Sequence, residues 1–345
     1  MGELLRLAKC ALLVVRVSIL PGVLGGGCAG GGKANDDTAA AVVPGGSAGI
    51  PVPGPCDPLG SCGWTDVSMA TVFGCGIREG GTVDCWGDFQ LGGDEVLHGV
   101  GFTDVAVGMY HACALKRDGL PACWADEGMG DNDRGQVDPP TVPFVAIEAG
   151  AYLTCGLDAG GFITCWGYYL GSRPPPGPFV QMDLGFLGGC ALDAEGRVTC
   201  WGDDVNQGRV AANPEGRYLR VACGGSCYGV ATSGHLVSFG PRLAVVASPP
   251  EGERFMDVSL WGTLACGLTT AGELRCWGDA HPGGYYDLDA DWDTVRYPEG
   301  PFTKIGVGSS SVCAIRADGT ISCMDSCGRP EYDAPYFSPY PGPCT

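Results

Sequence analysis

The sequence predicts an all-β protein, a seven-bladed β-propeller with short blades. Cysteines recur in pairs ten positions apart, and a short strand opening on an aromatic precedes each pair. Counted between first cysteines, with Tyr228 standing for the missing one, the copies return after 38, 42, 35, 38, 38 and 47 residues. Periods near 40 residues built from strands and turns imply propeller blades or a solenoid. Closure into a ring removes the sheet edges that an exported chain would otherwise have to protect. The 60 glycines and 26 prolines in 345 residues agree with a turn-rich β protein.

The unit is plainest at Cys190-Ala-Leu-Asp-Ala-Glu-Gly-Arg-Val-Thr-Cys200-Trp201-Gly202. An apolar stretch, an Asp/Glu/Gly turn and a second, alternating stretch read as a β-hairpin. With the turn at Glu195 and Gly196, Cys190 and Cys200 face each other at roughly 4.5 Å between Cα atoms, within disulfide reach. The same spacing pairs Cys75 with Cys85, Cys113 with Cys123, Cys155 with Cys165, Cys266 with Cys276, and Cys313 with Cys323. In the fifth copy Tyr228 and Ser238 replace both cysteines, and Phe239 replaces the Trp. Their joint loss marks the two positions as a bonded pair, since one leftover thiol would be a reactive liability. Cys223 and Cys227 bracket a three-residue turn in that copy and are expected to bond each other. Zinc fits less well, because structural zinc sites favour close pairs such as Cys-x2-Cys. Each hairpin bond should stabilise the chain by about 2.5 to 3 kcal/mol through loop entropy.

Taken in order, the chain opens with Arg6 and Lys9 ahead of the apolar run Cys10 to Leu24. That run is short and is interrupted by Arg16 and Pro21, so residues 1–28 read as a signal peptide. Gly25-Gly26-Gly27 before Cys28 matches a bacterial lipoprotein processing site, after which Cys28 would carry lipid; Leu24 stands four places before the cysteine where such sites have Leu three before. Removing Cys10 and acylating Cys28 leaves eighteen of the 20 cysteines, an even number, and cleavage just after Cys28 leaves the same. Residues 29–55, rich in Gly, Ala and Pro, read as a flexible tether. Two strings there, Gly27 to Lys33 and Gly45 to Gly49, mimic a phosphate loop and a nucleophile elbow but lack the strand and helix that give such strings meaning.

Residues 56–345 hold the propeller. The first strands begin at Trp64, Phe102, Phe144, Phe179, Tyr218, Phe255 and Phe302, each with an aliphatic three places on. Gly108, Gly150, Gly185, Gly224 and Gly308 occupy the seventh place and suit a tight turn into the hairpin. Trp86, Trp124, Trp166, Trp201 and Trp277 are expected to pack between blades. Four cysteines flank the ring: Cys56, Cys62, Cys327 and Cys344. They pair either locally or across the seam, and the Pro-rich stretch Pro51 to Pro55 is a candidate outer strand for the last blade.

His111-Ala-Cys-Ala-Leu followed by Asp118-Gly119, and Cys190-Ala-Leu through Trp201-Gly202 to Asn206-Gln207-Gly208, resemble regulator of chromosome condensation repeats, in particular the bacterial exported type with paired cysteines. The resemblance covers residues 64 to about 325 and implies a seven-bladed propeller. Trp124-Ala125 in the second copy and Met324-Asp325 in the last depart from it.

Little in the chain suggests catalysis. His98, His235 and His281 fall in turns or between blades, and His111, two places before a cysteine, reads as a structural hydrogen-bonder. No Ser/His/Asp or Cys/His arrangement converges. No cofactor or metal is expected. The alternating Asp287, Asp289, Asp291 and Asp293 invite a calcium reading, yet an EF-type loop from Asp287 would need Gly and Glu where Trp292 and Pro298 stand. The turns between first strand and hairpin carry Phe73, Met109, Tyr110, Tyr152, Phe186, Leu187 and Trp261. In a propeller these turns gather on one face, so Tyr110, Tyr152, Phe186 and Trp261 are the candidate binding residues.

The expected function is therefore an exported, lipid-anchored monomer that binds a protein, peptide or glycan at the cell envelope and reaches the membrane only through its anchor. A net charge of -19 argues against nucleic acid as partner. The alternative is a lyase or hydrolase with its site in the central funnel, which would need His111 near carboxylates there. Nucleotide exchange, implied by the nuclear member of the resembled family, fits export and disulfides less well.

Overall fold

The structure, a computed structural model, describes residues 63–71, 73–87, 101–125, 133–168, 172–186, 188–202, 213–239, 249–278, 297–309, 311–325 and 330–331. Every element among them is a strand, and the strands form seven separate antiparallel sheets. Blade 1 consists of β1 (Trp64–Met69), β2 (Phe73–Arg78) and β3 (Val83–Gly87), and blade 2 of β4 (Phe102–Val107), β5 (His111–Lys116) and β6 (Pro121–Ala125). Blade 3 follows with β7 (Ala146–Ala149), β8 (Leu153–Leu157) and β9 (Ile163–Gly167), and blade 4 with β10 (Gln181–Leu184), β11 (Gly188–Leu192) and β12 (Val198–Gly202). Blade 5 holds β13 (Tyr218–Cys223), β14 (Cys227–Ala231) and β15 (Leu236–Ser238), and blade 6 holds β16 (Phe255–Trp261), β17 (Leu264–Thr269) and β18 (Leu274–Gly278). Blade 7 has β19 (Phe302–Val307), β20 (Ser311–Arg316), β21 (Ile321–Asp325) and a short fourth strand, β22 (Pro330–Glu331). The first strands β1, β4, β7, β10, β13, β16 and β19 contact one another in ring order, with β19 beside β1. The protein is a seven-bladed propeller.

The repeat residues explain the blades. Middle strands such as β8 and β11 are buried along their whole length, which is why they read as continuous small and apolar residues. The residue after each first hairpin cysteine is Gly or Ala because the opening aromatic lies over it. A Cβ on Gly156 would stand 2.4 Å from the Phe144 ring, and one on Gly267 would stand 2.5 Å from Phe255. Cysteines meet in the expected register, Cys190 opposite Cys200 and likewise in the other copies. Seven disulfides result among the described residues: the six hairpin pairs, with Cα atoms 4.0 to 4.1 Å apart, and Cys223–Cys227 at 4.1 Å. In blade 5, Tyr228 and Ser238 sit opposite each other where the other blades are bonded.

Two rings of turns join the blades. At one end, the glycine of each hairpin turn accepts a hydrogen bond from the backbone N–H of the aromatic that opens the next blade: Gly81 from Phe102, Gly119 from Phe144, Gly161 from Phe179, Gly196 from Tyr218, Gly234 from Phe255, Gly272 from Phe302 and Gly319 from Trp64, at 2.7 to 2.9 Å. The last of these closes the circle. These glycines lie at φ between 78° and 86°, a region that L residues enter at a cost. At the other end, the turns between first and second strands approach one another directly. A Cβ on Gly108 would meet the Gly150 carbonyl at 2.5 Å, one on Gly150 the Gly185 carbonyl at 2.3 Å, and one on Gly308 the Ala70 carbonyl at 2.4 Å. None of these three has a positive φ. Their smallness serves the contact between blades, which corrects the sequence expectation that the turn itself required Gly.

The outer edge of the last blade carries a short strand of its own. Pro51 to Pro55 lies outside the described residues, and the strand paired with β21 is Pro330–Glu331, through Cys323 opposite Glu331 and Met324 opposite Pro330. Cys28, Cys56, Cys62, Cys327, Cys344 and Asp287, Asp289, Asp291 and Asp293 also lie outside the described residues. No helix of the described residues is long and apolar enough to cross a membrane.

Candidate functional site

Because inner strands run from the hairpin-turn end to the tight-turn end, residues in equal places of each copy form tiers around the axis. At three junctions the third residue of the copy stitches one blade to the next. Asp104 Oδ2 accepts the backbone N–H of Ile147 at 2.9 Å, and Gln181 both donates to the Val221 carbonyl and accepts from its N–H, at 2.9 and 3.1 Å. The same place gives Lys304 and Asp66, an ion pair of 2.8 Å between blades 7 and 1. The fifth residue contributes Ser68, Glu148, Asp183 and Ser259 to the walls of a central cavity that all seven inner strands line.

That cavity measures about 60 Å³, space for a few waters and well below the several hundred Å³ of a small-molecule site. Trp261 lines it at the tight-turn end and lies in one buried cluster with Val107 and Val307. The catalytic alternative required a histidine among the channel carboxylates. His111 is instead buried between blades 2 and 3, where Nε2 meets Thr154 Oγ1 at 2.8 Å. The Thr154 hydroxyl donates to the Gln136 carbonyl at 3.1 Å, so its oxygen accepts from Nε2–H and the lone pair lies on Nδ1. Nδ1 has no hydrogen-bond partner among the described residues, and burial pushes the pKa of His111 down to about 3. This neutral imidazole is a structural part of the interface, as its place in the repeat suggested.

The tight-turn end carries the sequence-predicted aromatics. Tyr110 and Tyr152, from blades 2 and 3, are half-buried with ring centroids 5.8 Å apart. Burial first, then the charge and hydrogen bond of Tyr152, raise the Tyr110 phenol above its ordinary value, keeping it neutral. Phe186 of blade 4 is half-buried and meets Trp261 of blade 6 at 5.5 Å. Blade 5 lies between them, and the backbone N–H of its Gly225 donates to the Gly262 carbonyl of blade 6 at 2.7 Å. Trp261 is 7% exposed, so it departs from the expected open ring of aromatics: it lines the central cavity, and Phe186 packs on it. Phe73 is buried, Met109 packs against the same core as Trp261, and Leu187 is outside the described residues. The five hairpin tryptophans are buried as expected.

Gln136 was not legible beforehand. It is 0% exposed, and its carbonyl accepts from the indole of Trp166 at 2.9 Å as well as from Thr154. The Gly135-Gln136 step was its only signal. Trp86, Trp124, Trp201 and Trp277 have buried indole N–H groups with no partner among the described residues.

The fold is similar to the ectodomain of the receptor kinase CR4 from Physcomitrella patens, with a TM-score of 0.59 and 21% identity over 76% of this chain and 73% of that one. It is similar to the CRINKLY WD40 ectodomain of the Arabidopsis thaliana receptor kinase ACR4, with a TM-score of 0.57 and 21% identity over 76% and 94% of the two chains. Prp20p from Saccharomyces cerevisiae matches with a TM-score of 0.49 and 16% identity over 65% and 72%. At such identities the likeness carries the fold alone. No protein-family model and no curated protein matches the chain.

Proposed function

We propose that the chain is an exported binding module that grips a protein, peptide or glycan with the tight-turn end of its propeller. The observation that carries the reading is the pairing of Tyr110 with Tyr152, together with Phe186 of the following blade: half-buried aromatics from three successive blades at the tight-turn end. Rigid, partly exposed Tyr and Phe supply contact area at low entropic cost. The cavity beneath is too small to hold a substrate, which favours recognition on the rim over chemistry in the funnel.

Seven disulfides among the described residues suit an oxidising compartment. They support a reading in which residues 1–28 direct export, Cys28 carries lipid and 29–55 tether the propeller to the envelope. The test is affinity capture from the native envelope fraction with the wild-type propeller, with Tyr110→Ala/Tyr152→Ala, and with Phe162→Ala at the opposite end, where Phe162 is 53% exposed. Loss of the captured partner in the double variant alone is expected. Capture unchanged by the tyrosine substitutions overturns the reading.

A further inference from the structure

Two disulfides meet at the interface of blades 4 and 5. Around the ring, the hairpin disulfide of one blade shares a buried cluster with the sixth residue of the next inner strand: Cys113 with Ala149, Cys155 with Leu184, Cys313 with Met69. In blade 5 that sixth residue is Cys223. The substitution of a cysteine for an aliphatic places sulfur against sulfur. The Sγ atoms of Cys190, Cys223 and Cys227 lie within 4.8 Å of one another, and Cys190 is bonded to Cys200 while Cys223 is bonded to Cys227. All four residues are at most 5% exposed and share one apolar cluster with Tyr218 and Phe239. Bonded sulfurs offer no thiolate to a metal. Their contact does allow exchange, in which a thiolate attacks a neighbouring disulfide sulfur.

We infer that Cys190–Cys200 and Cys223–Cys227 form one thiol–disulfide exchange unit, a site for a small dithiol reductant that converts two staples within blades into one bond between blades. One thiolate of the reductant attacks the Cys200 sulfur; a mixed disulfide forms, the Cys190–Cys200 bond breaks, and the electron pair leaves on Cys190. Cys190 thiolate then attacks Cys223 or Cys227. A bond between blades 4 and 5 forms, Cys223–Cys227 breaks, and the displaced thiolate takes the proton that the reductant lost. The second thiol of the reductant releases Cys200 as a thiol and closes its own disulfide. The reductant is oxidised by two electrons, and the protein exchanges two disulfides for one and two thiols. Sulfurs held within 4.8 Å of one another react as an intramolecular pair, far faster than through solution encounters.

Cys200→Ala tests the inference without any reductant. The freed Cys190 should displace one sulfur of Cys223–Cys227, so a non-reduced peptide map should show Cys190 joined to Cys223 or Cys227, with the free thiol on the displaced partner. Cys165→Ala is the control, since the freed Cys155 shares its cluster with Leu184 and should remain a thiol. Cys190 found free beside an intact Cys223–Cys227 bond, or bonded elsewhere, overturns the inference. Should Cys200→Ala fail to fold, the wild-type protein treated with sub-stoichiometric dithiothreitol and alkylated is mapped instead. A bridge between blades 4 and 5 supports the exchange unit, and opening of the two bonds without that bridge overturns it.

Discussion

Lys304 Nζ stands 2.8 Å from Asp66 Oδ1, joining the last inner strand to the first across 238 residues of chain. Asp66 is 7% exposed and the Lys304 side chain 28% exposed, so water screens the pair only in part. Removing the cation leaves a nearly buried carboxylate, which costs more than the loss of a surface pair. Lys304→Met should therefore lower stability by about 1 to 3 kcal/mol and open the seam between blades 7 and 1, read as a lower thermal midpoint and faster proteolysis. Arg197→Met, which removes the exposed pair with Asp193, should leave the midpoint unchanged.

His111 makes stability depend on acid. Its folded pKa is about 3 against an ordinary 6.5, so between those values the unfolded chain takes up a proton that the folded chain refuses. Stability contributed by the neutral form is complete above pH 6.5 and declines as the pH falls. The slope is about 1.4 kcal/mol per pH unit, or ~2 kcal/mol lost by pH 5. His111→Gln should flatten the difference between denaturation midpoints at pH 7 and pH 5. An equal pH dependence in wild type and variant would refute a buried, neutral His111.

The tight-turn glycines are required by contact between blades. Gly150→Ala drives a Cβ to 2.3 Å from a backbone oxygen that no side-chain motion can clear, and a cost of about 2 to 4 kcal/mol is expected. Gly252 has φ of 82° with open space around it, so Gly252→Ala meets only the backbone penalty, about 1 kcal/mol. Urea denaturation should rank Gly150→Ala as the more damaging of the two. The reverse ranking would show that conformation, and not packing, governs these turns.

Removing one hairpin staple, as in Cys155→Ala/Cys165→Ala, should cost about 2.8 kcal/mol by the loop-entropy estimate for an eleven-residue loop. Hydrogen exchange should show faster opening of β8 and β9 with little change in the opposite blades, since the bond closes a loop within one hairpin.

Much of the propeller was legible because its information is local. A disulfide ten residues long, a turn glycine at positive φ and an aromatic packed over the next strand all lie within one repeat, and the copies check one another. The tyrosine pair at the turn face could be placed for the same reason. Trp261 could not be judged from its turn: only the closed ring brings it to the wall of the central cavity, in one cluster with Val307 of the neighbouring blade and Val107 of blade 2. Gly150 reads as a turn residue from its own copy, and only the neighbouring blade sets the Gly185 carbonyl against it; Cys223 forms the local bond with Cys227 that the sequence predicts, and only the closed ring sets Cys190 beside that bond. By itself, then, the sequence determined the blade, its staples and the number of copies. Only the tertiary structure decided what each blade presents to the next, because contacts between blades join residues whose separation leaves no periodic trace along the chain.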